Sequence, residues 1–128
     1  MTQQTIVIVN TGCANISSVK FALERLGVSV TVSDDPAVIK AADKVFLPGV
    51  GAAGAAMTSI TAKQLIPTLQ GLTQPVLGVC LGMQLMVEQS DEATTGTIDC
   101  LKLLPGHVKR MQAGELRLPH MGWNTISP

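Results

Sequence analysis

Four short apolar runs, each followed by a turn and a stretch with helical spacing, constrain this chain more than any other feature. Thr5-Ile-Val-Ile-Val-Asn10 is continuous and β-branched, the pattern of a strand buried on both faces. Val28–Ser33, Lys44–Leu47 and Val76–Val79 repeat that character. Between the first two, Asn15 is a helix N-cap, Ile16, Val19, Leu23 and Leu26 share a helical face, and Gly27 is a stop. Asp35-Pro36 reads as a cap with proline at the first helical position, opening a short helix through Val38, Ile39 and Ala42. Met57, Ile60 and Leu65 predict a third helix that Pro67 kinks or ends. A fourth is expected from Cys80 through Leu85 and Met86 to about Glu88. Strand–helix alternation of this kind predicts an α/β fold, a parallel sheet with helices on both faces.

Past Gln89 the pattern changes. Ser90–Gly96 reads as a polar loop, and short strands are expected around Ile98–Leu101, Val108–Met111 and Glu115–Leu118. Pro105-Gly106, Gly114 and Pro119 leave no room there for a helix of ordinary length. There is no internal repeat or linker, so residues 1–128 are expected to form one domain.

Composition narrows the function classes. Hydrophobic residues make up 46% and charged residues 14%, which excludes a disordered chain. Nine basic and nine acidic side chains balance, so there is no basic excess to hold nucleic acid. Phe21, Phe46 and Trp123 are the only aromatics, too few for a base-stacking platform. No apolar run reaches membrane-span length without a Gly, Pro or charge, and Met1-Thr-Gln-Gln lacks a basic leader region. Cys13, Cys80 and Cys100 are an odd number without metal-ligand spacing, which suits a reducing cytoplasmic setting. Neither a metal nor a cofactor is expected.

The strongest chemical signal is Gly78-Val-Cys-Leu-Gly82, a thiol version of the nucleophile elbow between an apolar strand and a helix. Glycines two residues either side of Cys80 remove Cβ atoms where strand and helix cross. The helix start supplies amides and a positive dipole end that favour a reactive thiolate. A buried structural cysteine is the competing reading. Gly49-Val-Gly-Ala-Ala-Gly54 matches the dinucleotide fingerprint, but no Asp or Glu occurs from Gly49 through Val87 to meet a ribose, and Pro48 precedes it. Strands three and four should end on the same sheet edge, so the glycine turn is better placed to offer amides to an oxyanion formed at Cys80. A turn that merely reverses the chain is the alternative. A cysteine nucleophile also needs a base, and only His107 and His120 are available. Neither has an Asp or Glu close in sequence to orient it, so both read as structural or interface residues.

Val79-Cys-Leu-Gly-Met-Gln84, Leu47-Pro-Gly-Val-Gly51, Asn10-Thr-Gly-Cys-Ala-Asn-Ile16 and Pro119-His-Met-Gly-Trp-Asn124 together resemble one family. They are similar to the glutaminase subunits of imidazole glycerol phosphate synthase, class I (triad-type) glutamine amidotransferases of histidine biosynthesis with a flavodoxin-like sheet. The resemblance implies that Cys80 attacks the side-chain amide of glutamine. It implies that the amides of Leu81 and of the Gly49–Val50–Gly51 turn hold the oxyanion, and that Gln84 and Gly51 help bind glutamine. A glutamyl thioester would form and be hydrolysed. Ammonia would pass to a (β/α)8-barrel cyclase subunit, giving imidazole glycerol phosphate and an aminoimidazole carboxamide ribotide. Asn15, Met121, Trp123 and Asn124 would lie near that partner.

Members of that family are longer and carry a triad histidine and glutamate in a His-Pro-Glu motif, which has no match here. His107 and His120 match no triad position. The expectation is a chain lacking the C-terminal third of its domain. It would have negligible glutaminase activity alone, with sheet and core surface left open to self-association; the alternatives are a non-catalytic interaction module that keeps the fold, or another cysteine hydrolase using His107 or His120 as base.

Overall fold

The computed structural model describes residues 3–94 and 96–128. Met1 and Thr2, which fall in the stretch read for a leader, lie outside them. The four apolar runs form the strands β1 (Ile6–Val9), β2 (Val30–Ser33), β3 (Lys44–Gly49) and β4 (Val76–Cys80) of one parallel sheet in the order β2-β1-β3-β4. Alternation of side chains across that sheet splits the core in two. Ile6, Ile8 and Phe46 face α1 (Ile16–Arg25) through Leu23, with Val19 and Ile16 packed alongside. Val7, Val9, Val45 and Leu47 face the other way, onto α2 (Pro36–Ala41), α3 (Ala53–Ala62), α4 (Ile66–Gln70) and α5 (Leu81–Gln84). Helices therefore cover both faces, as expected. Each fully buried Val, Leu or Ile contributes about 1.5–3 kcal/mol of transfer free energy.

The helix signals operate as read. Asn15 Oδ1 accepts from the Ser18 amide, Gly27 adopts φ +80, and Asp35 Oδ1 accepts from the Ala37 amide with Pro36 behind it. The third helix differs from expectation. It ends at Ala62, and Leu65 belongs to the start of α4 rather than to α3. The cause is a Schellman-type cap. Gln64 sits at φ 57, its amide donates to Thr61, and the Leu65 amide donates to Ile60. Pro67 then lies in the first turn of α4, where its missing amide costs nothing. Strand three runs further than expected, through Pro48 to Gly49. Val45 donates its amide toward β4, so by alternation the missing Pro48 amide falls on the β1 side, beyond the last β1–β3 pair, Ile8 with Phe46.

The helix after Cys80 is also shorter than expected, a single turn ending at Gln84. The Glu88 amide, which a helix to that point would give to the Gln84 carbonyl, donates to Gly106 instead, and amides of residues 100–104 take the carbonyls beyond the first turn. The Leu101 amide bonds the Leu85 carbonyl, Leu103 and Leu104 bond Met86, Lys102 bonds Val87, and Cys100 bonds Glu88. The chain instead enters β5 (Gln89–Ser90), a strand inside what the sequence suggested was loop. β5 pairs antiparallel with β6 (Ile98–Asp99) and parallel with β7 (His107–Val108) in a second, three-stranded sheet. These strands are shorter than the expected ones. No strand forms at Glu115–Leu118, where Gly114 at φ +58 and a Leu116-to-Ala113 hydrogen bond make a turn. No described helix is long and apolar enough to cross a membrane.

Candidate active site

In a parallel sheet ordered β2-β1-β3-β4, the connections after β1 and β3 leave in opposite directions and open a crevice at the strands' carboxyl ends. The loop after β1 (residues 10–15) and the turn after β3 (residues 49–52) border it. Gly49 stands directly opposite Cys80 in the β3–β4 register, so the glycine turn and the thiol share one edge, as the sequence suggested. Cys80 is exposed, free of any disulfide, and held at φ 55 and ψ −120. A non-glycine residue at such angles is strained and persists only because its surroundings fix it.

Those surroundings are three glycines. A Cβ on Gly82 would lie 1.8 Å from the Leu47 carbonyl oxygen, one on Gly78 2.6 Å from Met83 Cα, and one on Gly49 2.8 Å from the Gly82 nitrogen. The elbow exists because no side chain separates β3, β4 and α5. With α5 only one turn long, the amides nearest the thiol belong to that turn, and the long helix dipole expected behind Cys80 is absent. Leu81, next to the thiol, is fully buried.

The other expected site residues are placed unevenly. Gly51 takes φ +88, a conformation that favours glycine, and turns the chain into α3. The Val50 amide, the expected oxyanion donor, is engaged elsewhere: it donates to the Cys13 carbonyl at 2.9 Å. Gln84 borders an open cleft of about 1090 Å³ whose lining does not include Cys80. Sequence reasoning missed the rest of that cleft. Asp91 and Glu92 after β5 face it together with Lys109 and Arg110 after β7, so it offers charges of both signs. Seventeen or more positions separate the two pairs, and no spacing rule links them; only the pairing of β5 with β7 does.

The histidines also depart from expectation. His107 does have a carboxylate partner, with Nε2 2.6 Å from Asp91 Oδ1, and the Thr97 hydroxyl donates to the same oxygen at 2.7 Å. The Thr97 hydroxyl first, then the imidazole, hold the Asp91 carboxyl below its ordinary 3.8. A folded-state pKa below the unfolded one contributes stability that is full above 3.8 and lost as pH falls through the depressed value. The melting temperature of Asp91→Asn should therefore lie below wild type at neutral pH. The difference should close as pH falls below about 4. A constant difference across that range would rule out the ionised carboxylate as its source. His120 Nε2 lies 2.7 Å from Asn124 Nδ2, so both histidines have partners other than Cys80. Among the described residues no group of three or more His, Cys, Asp or Glu is placed to hold a metal ion.

The residues proposed for a partner surface fall into two groups. Met121, Trp123 and Asn124 lie on an exposed segment without regular structure, while Asn15 serves as the cap of α1.

The chain is thus an α/β protein whose parallel sheet presents an exposed thiol on a glycine elbow at its carboxyl edge. The sequence profile described as "Glutamine amidotransferase class-I" matches residues 7–126, and the chain belongs to that family. Among curated proteins it is 57% identical over 123 residues to the imidazole glycerol phosphate synthase subunit HisH of Idiomarina loihiensis, covering 96% of this chain and 61% of that protein. It is 53% identical over 130 residues to the subunit HisH 1 of Vibrio vulnificus (99% and 64%), and 54% identical over 126 residues to HisH of Vibrio cholerae (96% and 62%). The chain thus spans a little over six-tenths of the length of the curated relatives it matches.

Proposed function

We propose that this chain carries the nucleophile of a glutaminase that supplies ammonia to a (β/α)8-barrel cyclase subunit. The assembly would be a cytoplasmic heterodimer of histidine biosynthesis. It would make imidazole glycerol phosphate and aminoimidazole carboxamide ribotide, with residues 1–128 acting as one amidotransferase domain. The observation that carries the reading is the exposed Cys80 on its strained elbow opposite Gly49.

Under this reading the chemistry starts at that thiol. Cys80 Sγ attacks the carboxamide carbon of glutamine, and the carbonyl becomes an oxyanion. The Leu81 and Val50 amides hold that oxyanion once Val50 has left the Cys13 carbonyl, so the Gly49–Gly51 turn must rearrange before acylation. The carbon–nitrogen bond breaks, ammonia leaves with a proton, and a glutamyl thioester remains for water to hydrolyse. Gln84 and Gly51 position the side-chain amide. In the cleft, Asp91 and Glu92 suit an α-ammonium group, and Lys109 and Arg110 suit an α-carboxylate. Met121, Trp123 and Asn124, with Asn15 at the opening loop, form the surface offered to the cyclase. An apolar, solvent-exposed tryptophan and methionine are the residue types that anchor such interfaces.

A glutamine-derived chloroketone tests the reading. Mass spectrometry should find one adduct, on Cys80, slowed by excess glutamine and absent from Cys80→Ala. Equal labelling of Cys13 and Cys80, indifferent to glutamine, would overturn it. The His107–Asp91 pair favours one competing reading, a cysteine hydrolase that uses His107 as base. In that case His107→Ala would suppress the labelling, and under the glutaminase reading it leaves the labelling unchanged.

A further inference from the structure

We propose that Ser59 is a positioning residue for the glycine turn after β3: its hydroxyl anchors the loop after β1, and that loop holds the Val50 amide. Three hydroxyls lie in the second half of α3, and two of them serve only their own helix. Thr58 donates to the Gly54 carbonyl at 2.9 Å and Thr61 to the Met57 carbonyl at 2.7 Å, the usual back-bond of a helical threonine. Ser59 departs from that pattern. Its hydroxyl leaves the helix and donates to the Thr11 carbonyl, 48 positions away in the loop. Gly12 permits the close approach: it takes φ +83, and a Cβ there would lie 2.8 Å from Ser59 Oγ.

This bond closes a ring. From Thr11 the loop runs through Gly12 to Cys13, whose carbonyl accepts from the Val50 amide at 2.9 Å. From Val50 the chain runs through Gly51 into α3 and so back to Ser59. α3 is the fixed side, since Ala53, Ala56 and Ile60 are buried in the larger core cluster. The loop is the side that is held. Between Asn10, tied to Ser33, and Asn15, the cap of α1, only the bonds from Ser59 and Val50 tie it to another element among the described residues. Thr11 is 1% exposed, so its carbonyl is shut off from water that could replace the Ser59 hydroxyl. Without that donor the buried carbonyl is unsatisfied, and the loop lifts until water reaches it. Cys13 moves with the loop and releases Val50.

The bearing on chemistry rests on the glutaminase reading. There the Val50 amide must leave the Cys13 carbonyl before it can hold the oxyanion, so Ser59 sets how firmly the turn is kept in its resting form. The hydroxyl acts through Thr11, Cys13 and Val50, never on the substrate.

Amide hydrogen exchange of the 128-residue chain, read by NMR, tests this, with Val45 as reference because its amide donates to Pro75 inside the sheet. In Ser59→Ala the Val50 amide should exchange roughly tenfold faster than in wild type, the effect of losing one net hydrogen bond, while Val45 is unchanged. Ser59→Thr keeps the hydroxyl and should restore the wild-type rate. Thr58→Ala removes a neighbouring hydroxyl and should not alter it. The proposal is overturned by Val50 exchange that is unchanged in Ser59→Ala, that accelerates together with Val45, or that accelerates equally in Ser59→Thr or Thr58→Ala. Labelling of Cys80 by the glutamine-derived chloroketone is the second readout. It should be faster in Ser59→Ala, and an unchanged rate overturns the link from Ser59 to the site. Wild-type labelling that ignores glutamine sinks the glutaminase reading instead, and exchange at Val50 still decides whether Ser59 holds the turn.

Discussion

Gly82→Ala is expected to destabilise the chain by about 3 kcal/mol, the upper end of overpacking costs. The added Cβ would meet the Leu47 carbonyl oxygen at 1.8 Å, with the Leu47 and Pro48 carbonyl carbons at 2.7 and 3.0 Å. These are backbone atoms of β3, which is paired on both sides, so they cannot yield as the tip of a flexible side chain would. Relief requires α5 to move off the sheet, which uncovers Leu81 and Leu85, both buried in the larger core cluster. Small domains hold only about 5–15 kcal/mol in total, so much of the population should fail to fold at 37 °C. Gly54→Ala is the matched control. Its Cβ meets nothing within 4 Å in α3, and the exchange should stabilise by up to about 1 kcal/mol. Urea denaturation of both variants measures the contrast. Equal midpoints would mean that the close approach of β3 and α5 does not exist in solution.

Turnover is expected to be the second large effect, in the direction of loss. The purified 128-residue chain should release ammonia from glutamine about 10²–10⁴-fold more slowly than a site with a working general base. Among the described residues no hydrogen bond joins His107 or His120 to Cys80, and the Val50 amide is committed to the Cys13 carbonyl. Acylation therefore finds a thiol in place, with neither its proton acceptor nor its full oxyanion hole. A coupled glutamate dehydrogenase assay reads the ammonia. Brisk release that disappears in Cys80→Ala would show that a histidine reaches Cys80, or that Val50 leaves Cys13, when glutamine binds.

The parts of the fold that were legible in the sequence are those governed by neighbours in the chain. The β-branched run at Ile6–Val9, the Asn15 and Asp35 caps and the Gly27 stop depend on residues within a few positions, and each forms as read. The elbow was legible for the same reason, since Gly78 and Gly82 flank Cys80 at fixed offsets. What escaped was set by distant partners. The one-turn length of α5 goes with the Glu88 amide turning to the distant Gly106 carbonyl, and the strand at Gln89–Ser90 depends on both Ile98–Asp99 and His107–Val108. The acid beside His107 comes from β5's end across a parallel pair, which no local spacing announces. Gln64 in a left-handed cap broke the third helix without a glycine to signal it.

The hold of residues 100–104 on the Leu85–Glu88 carbonyls has a temporal consequence. A ribosome makes Cys80 well before it makes Leu104, so the nascent elbow leaves the exit tunnel with those carbonyls still free to extend a helix. The path of the chain after the elbow can first be fixed when the later segment arrives, although the three glycines that set the angles of Cys80 have already been made.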